Sequence, residues 1–235
     1  MSSYLAINIL IVLIPLILSF EKNVRFYRKL RNVLYSIFIV GIIFITWDVK
    51  ATKTGDWSFN PEYTGSIEMF GLPLEEILFF VTVPYSIIFI YESLSFYLKE
   101  RSYSFDKKYF LLLCAIFLTA GFINSDKNYT AAILIFCSMI FLFSYFCDHK
   151  VYSSKISILT ILISFIPFLI VNYILTSLPV VEYNPEAIIG VRITTIPAED
   201  FFYSFAMISC WLIVYNLLKR NELNLKLKAV DQSKS

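Results

Sequence analysis

The sequence predicts an all-α, polytopic membrane helical bundle of about seven transmembrane helices. In this bundle a unit of three helices occurs twice in parallel, and a linker helix joins the two copies. The chain is 58% hydrophobic and only 16% charged, whereas a soluble domain carries about 25% charged residues. Its motifs recur at a constant offset of 124 residues. Repetition at a fixed offset indicates a duplicated architecture.

Long apolar runs mark the predicted helices, because about 20 apolar residues suffice to cross a bilayer. The runs are residues 3–20, 32–50, 72–98, 109–124, 129–147, 156–175 and 196–218. The first run lacks the positive start and small-residue cleavage site of a signal peptide, so we expect a retained helix. The predicted division is a first repeat (1–105), a linker span (106–127) and a second repeat with its tail (128–235).

The distribution of basic residues predicts the orientation in the membrane. With the N-terminus outside, sixteen of the twenty Lys and Arg residues fall on the inner side. This positive-inside bias predicts a multi-pass protein of the cell membrane with an outer N-terminus and a cytoplasmic C-terminus. The net charge of +2 provides no basic footprint for nucleic acid.

The repeated motifs place acidic residues at the start of two helices. Phe-Asn-Pro-Glu at 59–62 precedes Pro-Leu-Glu-Glu at 73–76, and Tyr-Asn-Pro-Glu at 183–186 precedes Pro-Ala-Glu-Asp at 197–200. A linker of one span gives both copies the same orientation, with the repeat axis along the membrane normal. We therefore expect four acids to meet at one depth on the outer side: Glu75, Glu76, Glu199 and Asp200.

Each acidic pair also has a purely structural interpretation. Proline suits the first turn of a helix, and the helix dipole favours acids there. Ionisable groups within spans are costly and usually functional, and two copies at matched depth favour a functional site. Neighbouring helical residues point about 100° apart, so one acid of each pair should face the axis. We rank the identical members, Glu75 and Glu199, first, with Glu76 and Asp200 as supporting acids.

Crowded carboxylates suit general acid–base catalysis, because one stays protonated beside an ionised partner. Asp48, whose repeat partner is Asn172, and Arg192 are candidate moderators of the site. Asn60 and Asn184 could order it by hydrogen bonds, although Asn-Pro is also a turn signal. Aromatic faces stabilise cations, although phenylalanine is also ordinary lipid-facing filler. The aromatic candidates are Phe79, Phe80, Phe202 and Tyr203.

The sequence carries no cofactor or metal motif. Its six glycines form no dinucleotide or phosphate loop, and the lone His149 excludes a metal site built on histidines. We therefore expect no cofactor and no metal. Four cysteines without CxxC spacing predict buried free thiols. They are Cys114, Cys137, Cys147 and Cys210.

Residues 57–76 and 183–202 resemble the lycopene cyclase domain. This membrane-integral type occurs as two half-proteins in some bacteria and fused in other bacteria, archaea and fungi. The resemblance implies an isomerase of the intramolecular lyase class, which closes the linear ends of lycopene to β-ionone rings. The products would be γ-carotene and then β-carotene. It also implies a carotenoid substrate taken from the lipid phase, contact with membrane lipid, and possible contact with other carotenoid-pathway enzymes.

Other interpretations remain beside this resemblance. A cyclase of another carotenoid or ring type stays open. A proton-coupled transporter also stays open, because buried acids in repeats serve transport as well. A seven-helix retinal protein is rejected, since residues 196–218 contain no lysine. A purely structural subunit is disfavoured by the acidic pairs.

Overall fold

The chain folds into a helical bundle with small strands in its connecting loops. The computed structural model describes residues 1–104, 106–146 and 150–232, with side chains as far as residue 225. It is 72% helical, which confirms an all-α membrane bundle. Cys147 and His149, whose roles we predicted, lie outside the described residues. The helices are α1 (Ser3–Leu18), α2 (Leu30–Thr54), α3 (Leu74–Tyr97), α4 (Lys108–Ile123), α5 (Asn128–Phe146), α6 (Lys150–Ser153), α7 (Lys155–Ser177) and α8 (Ala198–Gln232).

Five helices of the described chain, α2, α3, α5, α7 and α8, are long and apolar enough to cross a membrane. Helices α1 and α4 are apolar but have 16 residues each. At 1.5 Å per residue they are about 24 Å long, somewhat less than the roughly 30 Å of the hydrocarbon core. Length and composition therefore establish five candidate spans. The cysteines described, Cys114, Cys137 and Cys210, are free thiols.

The two acid-bearing helices each begin directly after a short hairpin. Strands β2 (Glu68–Met69) and β3 (Leu72–Pro73) lead into α3, and β5 (Arg192–Ile193) and β6 (Ile196–Pro197) lead into α8. Both hairpins are antiparallel. Each turn contains a non-glycine residue in the left-handed region, Phe70 and Thr194, with φ of 59° and 58°. The two prolines thus lie just before their helices, and the acids occupy the first turns as predicted.

Strands from the two halves of the chain pair with each other on the same side of the bundle. Strand β1 (Trp57–Phe59) is antiparallel to β4 (Val181–Tyr183), with Ser58 opposite Glu182. Residues 58 and 182 are themselves 124 positions apart. Flanking bonds are reciprocal: the Asn60 N–H donates to Val180 (3.0 Å), and the Asn184 N–H donates to Asp56 (2.9 Å). The strand pair is therefore self-complementary about its centre.

Aromatic packing fills the middle of the bundle. The Phe44 ring of α2 lies 5.3 Å from Phe136, 5.5 Å from Tyr203 and 6.0 Å from Trp211. Phe80 of α3 is also buried against Phe44. This core joins α2, α3, α5 and α8, and within a membrane such helices associate through close packing of their side chains.

An ionic cluster links α3 and α8, away from their acidic first turns, to the segment before α2. The Glu92 carboxylate is 1% exposed. It accepts from Lys219 (2.6 Å) and Tyr215 (2.9 Å), and it also pairs with Lys29. A buried carboxylate of this kind is tolerated because donors surround it. The cluster fixes the relative depth of three chain segments.

The β1–β4 pairing predicts a crosslink between positions far apart in sequence. In the double variant Ser58→Cys/Glu182→Cys, mild oxidation should join the two thiols, because directly opposed Cα atoms lie about 4.5–5.5 Å apart. That separation falls within the disulfide range of about 4.4–6.8 Å. Mass spectrometry of unreduced peptides detects the bond. The matched control is Ser58→Cys/Glu186→Cys, since Glu186 lies beyond the strand near Lys127. Equal crosslinking of both pairs would contradict the register.

Candidate active site

A cavity of about 420 Å³ lies between α1, α3, α7 and α8. Its walls are mostly apolar, and three carboxyl groups line it: Asp48, Glu76 and Asp200. Two of its wall residues, Leu10 of α1 and Ile170 of α7, are 68% and 58% exposed on the outer surface of the bundle. These two residues therefore border both the cavity and the outer surface of the bundle.

The first half of the chain contributes a pair of carboxyl groups in contact. The Glu76 carboxyl accepts a hydrogen bond from the Tyr4 hydroxyl of α1, and it interacts electrostatically with the Asp48 carboxyl of α2 in the same cavity wall. The Trp57 indole N–H donates to Asp48 Oδ1 at 3.0 Å. The other Asp48 oxygen, Oδ2, is buried and has no hydrogen-bond partner among the described residues. Two carboxyl groups that meet in an apolar surrounding do not both ionise readily, which favours a proton on one of them.

The second half contributes one carboxyl group with three donors. Asp200 accepts from the Tyr129 hydroxyl (2.8 Å), the Tyr183 hydroxyl (2.8 Å) and the Asn172 amide (3.1 Å). Burial, followed by the nearby Asp200 carboxylate, raises the pKa of the Tyr183 hydroxyl well above its ordinary value. This hydroxyl therefore remains protonated and can donate. Three such bonds favour the ionised form of a carboxyl group.

The two acids of each pair are placed differently with respect to this cavity. Glu75 and Glu199 are buried, but neither lines it. Each holds the loop before its own helix: Glu75 Oε1 accepts from the Gly65 N–H, and Glu199 Oε1 accepts from the Ile189 N–H, both at 2.8 Å. The physical reason is the 100° step between neighbours on a helix. That step turns Glu76 and Asp200 inward and leaves Glu75 and Glu199 beneath the loops.

Each loop-holding acid also binds a hydroxyl from the helix packed beside it. The Ser2 hydroxyl donates to Glu75 Oε1 at 2.5 Å, and the Thr130 hydroxyl donates to Glu199 Oε1 at 2.6 Å. In both acids the second oxygen, Oε2, is buried without a hydrogen-bond partner. The two acids thus have matching environments in the two halves.

The structure brings some of the predicted supporting residues to the cavity and leaves others away from it. Phe79 and Tyr203 line the cavity beside the acids. Phe80 is in the aromatic core instead, and Phe202 packs against Phe117 of α4. These two phenylalanines therefore do not contact the cavity.

The loop candidates have structural roles in the described chain. The Asn60 and Asn184 side chains each accept from a backbone N–H two residues later, at 3.0 Å, and so form turns. Arg192 is exposed and donates to the Thr195 carbonyl at 2.7 Å, with its guanidinium 5.9 Å from the centre of the Tyr183 ring. Arg192 acts on the site only through that ring.

Several residues around the acids were not predicted as site residues. Tyr4, Tyr129, Tyr183 and Trp57 supply the donors described above, and Ser164 adds a buried hydroxyl without a partner to the cavity wall. Tyr4 and Tyr129 each donate to the second acid of their own half. The offset of 124 residues would not have paired them, because it places Tyr4 on Asn128, next to Tyr129. Trp57 and Tyr183 lie opposite each other in the paired strands β1 and β4. Within the described residues no three His, Cys, Asp or Glu side chains converge as metal ligands.

The contact between Gly65 and Glu75 predicts a steric effect. A Cβ at residue 65 would lie 2.6 Å from Glu75 Oε1, so Gly65→Ala should force the loop off the acid. We expect a loss of about 1–3 kcal/mol, which is typical of overpacking. Thermal unfolding in detergent measures it. Gly41→Ala is the control, because a Cβ there meets nothing within 4 Å. An equal melting temperature for both variants would contradict the close approach.

Comparison with known proteins tests the family resemblance. A family model described as lycopene cyclase matches residues 1–94 and 126–218, which together are most of the chain. The chain matches no curated protein and no solved structure. Both matched stretches contain one acid-bearing helix, α3 or the first part of α8, with the loops before it. The chain therefore belongs to the lycopene cyclase family.

Proposed function

We propose that this membrane protein is a lycopene β-cyclase, an isomerase that closes the linear ends of lycopene to β-ionone rings without a redox cofactor. Membership of the lycopene cyclase family supports a cyclase role. The observation that carries the proposal is the apolar cavity with Glu76 and Asp200 in its wall. An apolar cavity suits a hydrocarbon end group, and two acids suit a reaction that adds one proton and removes another.

The proposed reaction needs only the groups in the cavity wall. An acid protonates the terminal double bond of the substrate, and an internal double bond attacks the resulting cation to close a six-membered ring. A carboxylate then removes a proton and restores a double bond, so no electrons are gained or lost overall. The Phe79 and Tyr203 rings line the cavity, where aromatic faces stabilise a cation by about 0.5–2 kcal/mol.

Exposed residues in the cavity wall support entry of the substrate from the lipid phase. Leu10 and Ile170 are exposed on the lipid-facing surface and also line the cavity. Pro15 of α1 and Pro167 of α7 line it as well, and a proline within a helix removes one backbone hydrogen bond. One end of the carotenoid would enter between α1 and α7, while the rest of the polyene stays among membrane lipids. Contact with other carotenoid-pathway enzymes would allow direct transfer of the substrate.

The finer architecture is also part of this proposal. We infer seven spans, with α1 and α4 crossing as short helices, an outer N-terminus and a cytoplasmic C-terminus in the cell membrane. Residues 1–105 and 128–235 would be two copies of one unit, joined by a linker at 106–127. The matched hairpins, the reciprocal bonds across β1 and β4, and the equivalent Glu75 and Glu199 contacts support this duplication. All of these pairs are related by the offset of 124 residues.

Pigment analysis tests the proposed activity. A lycopene-producing bacterial host that expresses this chain should accumulate γ-carotene and β-carotene, because the site can add and remove a proton at each end. Chromatography with absorption spectra identifies the rings. Mass measurement should give the same carotenoid mass before and after the reaction, because ring closure is an isomerisation. Purified protein in lipid vesicles should form the same products without an added flavin. Unchanged lycopene together with proton uptake into vesicles would favour the transporter instead.

Isosteric substitutions should separate the two kinds of acid. We expect Glu76→Gln and Asp200→Asn to lower β-ring formation by about 10²–10⁴-fold, the usual contribution of a general acid or base. Glu75→Gln and Glu199→Gln should keep most of the activity and instead lower the melting temperature, because these acids hold loops. Product yields are normalised to the amount of membrane-inserted protein. The reverse pattern would mean that Glu75 and Glu199 are the reacting acids.

A further inference from the structure

The two halves differ at the residues that contact the inward-facing acids, and this difference has chemical consequences if the proposed cyclase function holds. At the offset of 124 residues, Asp48 corresponds to Asn172. Asp48 contacts Glu76, and Asn172 contacts Asp200. The inward-facing acid Glu76 therefore has a carboxyl group beside it, whereas Asp200 has an amide in the same position.

Burial and proximity favour a shared proton on the Asp48–Glu76 pair. The two carboxyl groups lie in the wall of one cavity and interact electrostatically, and Asp48 and Glu76 are only 2% and 8% exposed. Without a proton between them, two negative charges would be in contact in an apolar surrounding, which is strongly unfavourable. Among the described residues, the buried Asp48 Oδ2 has no hydrogen-bond partner. A proton held between the two carboxyl groups would supply one.

Asp200 has the opposite surroundings. The Tyr129 hydroxyl, the Tyr183 hydroxyl and the Asn172 amide all donate to it. An amide N–H donates and does not exchange its proton with the carboxylate under ordinary conditions, so Asn172 stabilises the negative charge without supplying a proton. Asp200 is therefore ionised before the reaction and can accept a proton.

We propose that the Asp48–Glu76 pair is the proton donor of ring closure and that Asp200 is the proton acceptor. This assigns a catalytic role to Asp48, which lines the cavity beside Glu76. The direction of proton flow is then fixed by the sequence difference between the halves.

The proposed step balances in atoms and charge. The pair gives its proton to the terminal carbon–carbon double bond, and a new carbon–carbon bond forms as the internal double bond attacks the cation. Asp200 then takes a proton from a ring carbon, and the electron pair of the broken carbon–hydrogen bond forms the ring double bond. One turnover leaves a proton on Asp200 and leaves the Asp48–Glu76 pair without its proton. Exchange with water at the outer loops resets both groups before the next end group enters.

Deuterium labelling separates donor from acceptor. Membrane vesicles that contain lycopene and one protein variant are incubated in heavy water, and the recovered carotenoids are analysed by mass spectrometry. The wild type should give β-rings that carry deuterium. Asp48→Asn should return unlabelled lycopene, with ring formation reduced by about 10²–10⁴-fold, because Glu76 beside an amide has no proton to share.

Loss of the acceptor should leave protonation intact. Asp200→Asn should yield labelled products other than β-rings: rings with the double bond elsewhere, hydroxylated ends, or lycopene that has exchanged deuterium. Asn172→Asp gives the second half a carboxyl pair and should shift products the same way, because Asp200 would then hold a proton. A merely structural defect would lower all products together and would not change the label.

A control variant and three contradicting outcomes test the assignment of donor and acceptor. Glu62→Gln is the control, since Glu62 is an exposed loop acid outside the cavity, and it should match the wild type. Labelled lycopene from Asp48→Asn, unlabelled lycopene from Asp200→Asn, or full activity of Asp48→Asn would each overturn the assignment. Absence of any ring product from the wild type would instead refute the proposed function itself.

Discussion

Buried carboxylates determine how the loops before α3 and α8 are built. Burying a carboxylate without hydrogen-bond donors costs several kcal/mol of free energy. The first turns of α3 and α8 bury four carboxyl groups. Donors come from α1, α5, α7, the strands and the loops: Tyr4, Ser2, Tyr129, Thr130, Asn172, Tyr183, Gly65 and Ile189. The short strands and turns between the helices are therefore held in place by the acids, and the acids in turn are oriented by them.

Adjacent acids on one helix have different surroundings because a single residue step rotates the side chain by about 100°. Glu75 and Glu199 each bind a backbone N–H of their own loop, which closes the loop over the helix start. Glu76 and Asp200 face the cavity, where they contact groups from other helices. The loop-holding acids keep the helix ends rigid, and this rigidity keeps the inward-facing acids at a fixed place in the cavity wall.

The sequence was sufficient to predict the helices but not their rotation. Apolar runs located the long spans because length and hydropathy decide whether a helix crosses a membrane. They marked the end of the last span at residue 218, whereas α8 continues to Gln232, since hydropathy marks the membrane boundary and not the end of a helix. Which acid faces inward depends on the packing of α3 and α8 against their neighbours. Periodicity in a uniformly apolar helix carries little information about that packing. Tyr183, which donates to Asp200, lies in a strand that pairs with a distant segment, and the apolar pattern of the helices did not predict this pairing.

The pairing of β1 with β4 has a consequence for how such a protein can be encoded. Ser58 opposite Glu182 makes the contact isologous, the kind found at the two-fold axis of a homodimer. An isologous contact needs no covalent connection, and α4, which lies between the halves in sequence, packs mainly against α5. The same interface would form between two separate polypeptides. Once both halves are on one chain, each can change alone, so Asn172 can differ from Asp48 without a matching change in the other half.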